Sequence, residues 1–306
     1  MTGKLRGVYA PVLTPFDDNL EPHTTRFVAH CRWLVDNNAG LAIFGTNSEA
    51  ASLSIAERLA LTDALLEAGI PAASLMPGTG SSSLIDAVTL TRHAVENGAP
   101  GVLVLPPFFY KGVSDDGLFA YYSEIIERVG DERLAIYLYH IPQMSYAPIS
   151  LDLIERLLAR YPDSIAGAKD SSGDWNNSKA MIDTFAAAGF DVFPASESFL
   201  SRALPLGGAG CISATVNVNP AGIHALYEGW NGPSGTSLQA SADEIRNIFQ
   251  AVPMIPAMKH AVAWQSATPG WDVVRPPLVK LSSDTAATLQ TKLQAASFKM
   301  AGYPSA

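Results

Sequence analysis

Short apolar runs of strand length alternate along this chain with longer amphipathic segments, and the pattern returns roughly every 25 to 35 residues, the βα rhythm of a parallel sheet. The runs span 8–13, 41–44, 74–77, 101–105, 135–139, 165–169, 191–195 and 210–213. Between them lie stretches with apolar spacing near 3.6, such as AERLALTDALLEA (56–68) and DLIERLLARY (152–161), several opened by Ser, Thr or Asp caps. Length alone, 306 residues, suits one large barrel or two ordinary domains. Eight βα units with short links and an even composition favour an α/β fold of the closed (β/α)₈ barrel type over a doubly wound open sheet. With 48% hydrophobic and 16% charged residues there is enough apolar surface for one large core.

The strand rhythm ends near residue 230, where GWNGPSGTS (229–237) reads as a loop and the remainder as helices. Residues 1–230 are therefore expected to form the barrel that carries the chemistry, and 231–306 a helical extension packed on it.

A formal net charge of −9, without any cluster of Lys or Arg, argues against a nucleic-acid partner. An anionic substrate must then meet locally positive groups. Cys31 and Cys211 are far apart and have no Cys or His at ligand spacing, so buried thiols are expected, not a disulfide framework or a zinc site. The first residues lack the apolar core of a signal peptide, and no apolar run reaches the ~18 residues of a membrane span. No membrane partner is expected, and the cytoplasm is the default location.

Active sites of such barrels lie at the C-terminal ends of the strands. That rule selects Thr14, Thr46 to Glu49, Tyr139 and His140, Lys169 and Asp170, and Ser196 to Ser198. Lys169, in AGAKDSSGD (166–174), follows small uncharged residues at a strand end, where desolvation favours the neutral amine. A neutral amine attacks a ketone or aldehyde to give an imine, whose protonated form stabilises an adjacent carbanion. A second reading pairs Lys169 with Asp170, itself a candidate N-cap for a helix beginning near Trp175. Tyr139 closes the preceding strand, within side-chain reach of Lys169, and a phenol beside an imine shuttles protons; its alternative is an amphipathic residue of the barrel's upper layer. FGTNSE (44–49) is a strand-to-helix turn with N–H groups and hydroxyls suited to a carboxylate, or to simple helix capping.

Other signals carry less. GTGSSS (78–83) lacks a P-loop lysine and reads as a capping loop, and PLGGAG (205–210) precedes a strand and reads as a tight turn. His23, His30, His93, His224 and His260 fall on helices or links away from strand ends.

The ordered set GVYAPVLTPF, GTNSEAASLSIAER, VLVLPPFFY, YLYHIP, GAKDSSGD and GGAGCISATVNVNP resembles the dihydrodipicolinate synthase / N-acetylneuraminate lyase family of class I aldolases over nearly the whole chain. The resemblance implies a homotetrameric (β/α)₈ barrel, a dimer of dimers without metal, that binds pyruvate or another 2-oxo acid as an imine. The family's Schiff-base lysine falls on Lys169, so that no cofactor beyond this imine is expected. Its acid/base tyrosine falls on Tyr139, and the hydroxyl that orients the tyrosine and helps bind the carboxylate falls on Thr46. Asn47 stands where the second relay threonine is usual, and His140 where the motif has asparagine. Met144 replaces the synthase branch's carboxylate-gripping arginine. Phe108 and Phe109 align with a tyrosine pair, one member of which reaches a neighbouring subunit's site, and Tyr110 is displaced by one residue.

With Ser196 and Glu197 after the seventh strand, and with Ile212, the residues Asn47, His140, Met144, Phe109 and Tyr110 are the expected substrate contacts. The sequence thus favours a lyase or aldolase acting on a 2-oxo acid and an aldehyde, or a dehydratase of a 3-deoxy-2-oxo sugar acid. The 4-hydroxy-tetrahydrodipicolinate synthase is the alternative within the family, and a non-catalytic 2-oxo acid sensor or scaffold the alternative outside it. A metal-dependent hydrolase would need clustered His and carboxylates at strand ends, which the sequence lacks.

Overall fold

The computed structural model describes residues 5–304; the outer ends of the two expected segments, 1–4 and 305–306, lie outside the described residues. In chain order the elements are β1 (Gly7–Ala10), α1 (Thr24–Asp36), β2 (Ala39–Leu41), α2 (Ile55–Glu67), α3 (Leu84–Glu96), β3 (Val102–Val104) and α4 (Asp115–Val129). There follow β4 (Ile136–His140), α5 (Pro142–Ser145), α6 (Leu151–Arg160), β5 (Ile165–Asp170), α7 (Trp175–Phe185), β6 (Asp191–Pro194), α8 (Leu200–Ala203) and β7 (Gly210–Ile212). Four helices end the series: α9 (Pro220–Gly229), α10 (Gly235–Gln250), α11 (Met254–Ser266) and α12 (Ser283–Ala295). The chain divides into two compact units, one of Pro71–Ile212 with the segment ending at Gly7, the other of Val8–Ile70 with the residues from Ser213 onward.

In the first unit β3, β4, β5 and β6 form a parallel sheet in that order. All five residues of β4, IYLYH, are buried, as strands covered on both faces must be. The third apolar run, 74–77, is not a ladder strand. It enters the sheet by one parallel bridge, Gly78 to Leu103, with Leu103 N–H donating to Pro77 O at 2.8 Å and Thr79 N–H to Leu103 O at 2.8 Å. Pro71 precedes a single 3₁₀ turn over Ala72–Ser74 that shortens the run. Proline cannot donate to a ladder, which limits pairing around Pro77.

Glycine at 167 has a steric cause. An added Cβ would stand 2.2 Å from the carbonyl oxygen of Asp191 and 2.8 Å from the Tyr137 ring. The Tyr137 hydroxyl donates to Asp191 Oδ2 at 3.2 Å, and Asp191 also meets Arg6 at 3.1 Å. Gly210, at φ 142, is set by the same kind of contact, because a Cβ there would lie 1.8 Å from Gly7 O.

The helices take their starts from side-chain caps. Ser83, Ser114 and Ser150 each accept the N–H three residues on, opening α3, α4 and α6, a device worth about 1 kcal/mol per helix. GTGSSS thus contains a capping serine, as its composition suggests. Helix α7 is capped by Asp174, which accepts from Asn176 N–H at 2.8 Å, and not by Asp170. Asp170 is instead the last residue of β5, and its carboxylate is taken up by Ser178 Oγ and Ser172 N–H.

In the second unit β1 pairs in parallel with β2, Val8 opposite Ala39 and Ala10 opposite Leu41. Helix α2 opens with a capping box in which Ser54 accepts Glu57 N–H and Glu57 accepts Ser54 N–H. Asn217, in the turn after β7, ties several segments together. Its Oδ1 accepts from Leu13 N–H at 2.9 Å and meets His30 Nε2 at 3.2 Å, while Nδ2 donates to Pro11 O at 3.0 Å and Ala214 O at 2.9 Å. The amide therefore leaves no polar group unmet.

Candidate active site

Parallel register brings the two leading candidates side by side. Tyr139 pairs directly with Lys169 across β4 and β5, and neighbours in register project to the same side of a sheet. Lys169 Nζ lies 4.2 Å from the centroid of the Tyr139 ring, over its face. Both residues are buried, Lys169 being 2% and Tyr139 3% exposed. Gly167 and Tyr137, two residues earlier on each strand, share this face, so the small residues before Lys169 make room for the ring of Tyr137.

The opposite face carries His140 and Asp170, also paired in register. Asp170 Oδ2 accepts from Ser178 Oγ of α7 at 2.6 Å and Oδ1 from Ser172 N–H at 2.9 Å, which marks this face as the helix-covered one. His140 Nδ1 accepts from Ile149 N–H at 3.0 Å, placing the ring proton on Nε2. Burial holds this imidazole below its ordinary pKa, against an opposing pull from the Asp170 carboxylate. The strand alternation thus separates His140 from Lys169, although the two motifs sit next to each other in sequence. Asp170 is committed to Ser178 and Ser172 and does not form the ion pair with Lys169 that the sequence left open.

Three other candidates lie at the surface of the same unit. Met144 on α5 is 56% exposed, and Phe109 and Tyr110 are 73% and 66% exposed, with their rings edge to face at 5.5 Å. Tyr146, which the sequence did not single out, joins them: it is exposed, Lys111 Nζ stands 4.8 Å over its ring, and its carbonyl accepts from Gly112 N–H. After β6, Ser196 is half-buried and its Oγ accepts from Ser198 N–H at 3.2 Å, while Glu197 is fully buried. Ile212 closes β7 and is fully buried.

The turn after β2 belongs to the second unit. Thr46–Ser48 is one 3₁₀ turn between two residues in left-handed backbone, Phe44 at φ 60 and Glu49 at φ 55. The N–H groups of Ser48, Glu49 and Ala50 are spent on carbonyls within the turn, and Gly45 N–H donates to Ser48 Oγ at 3.1 Å. Thr14, at the end of the first apolar run, donates its hydroxyl to Ser48 O at 2.8 Å. Half-buried Thr46 and Asn47 present a hydroxyl and an amide. Sequence reasoning did not weigh the partners of Glu49, which are Lys259 and the backbone of Arg275. The available signal was a lone cation in the apolar stretch MIPAMKHAVAW.

Among the described residues no group of three or more His, Cys, Asp or Glu is placed to hold a metal ion. No helix among them is long and apolar enough to cross a membrane.

Solved structures define the class as a (β/α)₈ barrel with a C-terminal helical extension. Dihydrodipicolinate synthase from Agrobacterium tumefaciens superposes with a TM-score of 0.87 at 28% identity, over 95% of this chain and 99% of the other. YagE, a prophage protein of the dihydrodipicolinic acid synthase family from Escherichia coli K12 in complex with pyruvate, superposes with a TM-score of 0.86 at 25% identity, over 96% and 99%. The model of the dihydrodipicolinate synthetase family matches residues 4–296, and the chain belongs to that family of lyases and aldolases. A DapA-like lyase of Chloroflexus aurantiacus is 33% identical over 93% of this chain and 95% of its own length. The 4-hydroxy-tetrahydrodipicolinate synthase of Methanococcoides burtonii is 30% identical over 91% and 94%.

Proposed function

We propose that this protein is a class I lyase or aldolase in which Lys169 forms an imine with a 2-oxo acid, pyruvate or a 3-deoxy-2-oxo sugar acid. The observation that carries the reading is the buried pair of Lys169 and Tyr139, with the amine nitrogen 4.2 Å from the ring centroid. The Lys169 amine, once neutral, attacks the ketone carbon; loss of water gives the imine, and its protonated form accepts the electron pair released when the adjacent C–C bond breaks. Tyr139 carries protons to and from the substrate oxygen. Thr46 and Asn47 bind the carboxylate. The chemistry so described uses no cofactor.

Ser196 and Glu197 take the polar part of the second substrate, with Ile212 lining the site. Met144, Phe109 and Tyr110 give its outer part an apolar character, which favours an aldehyde without a carboxylate over the substrate of the synthase branch. The exposed Phe109, Tyr110 and Tyr146 suit coverage by further copies of this chain in a homotetramer. We take the cytoplasm, a reducing compartment, as its location, in keeping with two buried thiols, Cys31 and Cys211.

The test is intact-protein mass after incubation with pyruvate and borohydride. One reduced pyruvate adduct in the wild type and none in Lys169→Ala is the expected result. An adduct that persists in Lys169→Ala refutes the assignment of the nucleophile, and none in the wild type with pyruvate or longer 2-oxo acids refutes the imine.

A further inference from the structure

Glu49 ends the Thr46–Ser48 turn in left-handed backbone, a conformation that costs a side-chain-bearing residue on the order of 1 kcal/mol unless the surroundings impose it. Its carboxylate supplies the constraint. Oε1 pairs with Lys259 Nζ of α11, and Oε2 accepts from Arg275 N–H at 2.9 Å. Glu49 is 4% and Lys259 0% exposed. The ammonium has further partners: besides pairing with Glu49 it donates to Val273 O at 2.8 Å, and it stands 4.4 Å over the Phe16 ring.

The guanidinium of Arg275 lies on the same ring at 4.6 Å. It forms a forked pair with Glu57 in the first turn of α2 and donates to Ser52 O at 2.6 Å and Leu20 O at 2.8 Å. Two cations and two carboxylates thus balance, and the contacts of Arg275 with Glu49, Ser52 and Glu57 fall on the end of the turn and the segment that follows it. A buried ion pair is a poor source of net stability, because the desolvation of both charges offsets their attraction. Its directional bonds are better suited to fixing a backbone conformation.

We infer that Glu49, Lys259 and Arg275 are positioning residues, through which helix α11 and the 273–275 segment fix the turn that presents Thr46 and Asn47 to the substrate carboxylate. This rests on the reading above in which that turn binds the carboxylate. The three residues touch no substrate. They set the orientation of the Thr46 hydroxyl and the Asn47 amide through the corner at Glu49.

The experiment titrates borohydride-trapped adduct against pyruvate concentration, with intact mass as readout. Lys259→Met keeps the aliphatic stem and removes the charge. The double variant Glu49→Gln/Lys259→Met leaves no buried charge, so the test stays decisive should the single variant not fold. Leu157→Ala on α6, in the other unit, is a control for lost stability alone. The pyruvate concentration at half-maximal adduct is expected to rise about tenfold or more in the Lys259 variants, since displacing a binding group by ~1 Å costs on that scale. The adduct yield at saturation should stay that of the wild type, and Leu157→Ala should leave half-saturation where it was. Wild-type half-saturation in a folded Lys259 variant, or an equal rise in Leu157→Ala, overturns the positioning role alone. Absence of adduct in the wild type removes the imine reading and this inference with it.

Discussion

Lys169 and Tyr139 are register partners on adjacent parallel strands, and the amine nitrogen of the first lies over the ring face of the second at 4.2 Å. The contact is made by the ring, so on the proposed reading, in which the hydroxyl serves the substrate, the two parts of Tyr139 can be tested apart. Tyr139→Phe keeps the ring and removes the hydroxyl. Turnover should fall by about 10²- to 10⁴-fold, the usual worth of a positioned proton donor, while borohydride still traps an adduct at Lys169. Turnover within a few-fold of the wild type would assign proton transfer to another group.

The elements around this pair were readable because strand ends are marked by short-range chemistry. Apolar runs and capping serines act within a few residues of themselves. What sequence did not reveal is set by partners far along the chain. Run 74–77 looks like its neighbours, yet its ladder shrinks to one bridge. His140 adjoins Tyr139 in sequence and faces away from it, a consequence of strand alternation that a motif read as a string does not display. Lys259 and Glu49 are 210 positions apart, and nothing local announces their pairing.

Gly167 gives a prediction about how the lysine strand is seated. In Gly167→Ala the new methyl would meet the Asp191 carbonyl at 2.2 Å, a backbone atom that cannot rotate aside. The sheet must open between β5 and β6, and a loss of stability of roughly 1–3 kcal/mol or more is expected from such overpacking. Urea denaturation would measure it. A wild-type midpoint would mean that the strands separate there without cost.

His30 makes stability depend on pH. Its ring is fully buried, Nε2 faces Asn217 Oδ1 at 3.2 Å, and the rings of Trp271 and Tyr303 lie at 5.2 and 5.7 Å. Burial pushes the imidazole down from 6.5 to about 4, against a weaker opposing effect of the Asn217 hydrogen bond. A folded-state pKa below the unfolded value means that the unfolded chain binds the proton first. The stabilisation is therefore complete above pH 6.5 and is lost as pH falls toward 4, by on the order of 3 kcal/mol from this residue. Burial lowers His140 and His260 as well, and both act in the same direction. The urea midpoint of the wild type should drop between pH 7 and 4.5, and that of His30→Phe, similar in shape and without a titrating group, should drop distinctly less. Equal slopes would place the acid sensitivity elsewhere.

Met144 tests the choice of second substrate. It lies on α5, the short helix that begins two residues after β4 ends, and is 56% exposed, so a longer side chain is accommodated without repacking. A cation from the link after β3, Lys111, stands just beyond α5, but it is occupied by the Tyr146 ring at 4.8 Å and by the Phe108 carbonyl at 2.5 Å. Met144→Arg adds a planar donor able to hold a carboxylate by two parallel hydrogen bonds. If the apolar character of this position is what keeps carboxylate-bearing aldehydes out, kcat/KM for aspartate semialdehyde should rise about tenfold or more, equivalent to ~1.4 kcal/mol in the transition state. Pyruvate trapping at Lys169 should not change, because on the proposed reading the imine forms without the second substrate. An unchanged kcat/KM would show that the acceptor's far end is met by residues other than those of α5, and Ser196 and Glu197 after β6 would become the positions to vary.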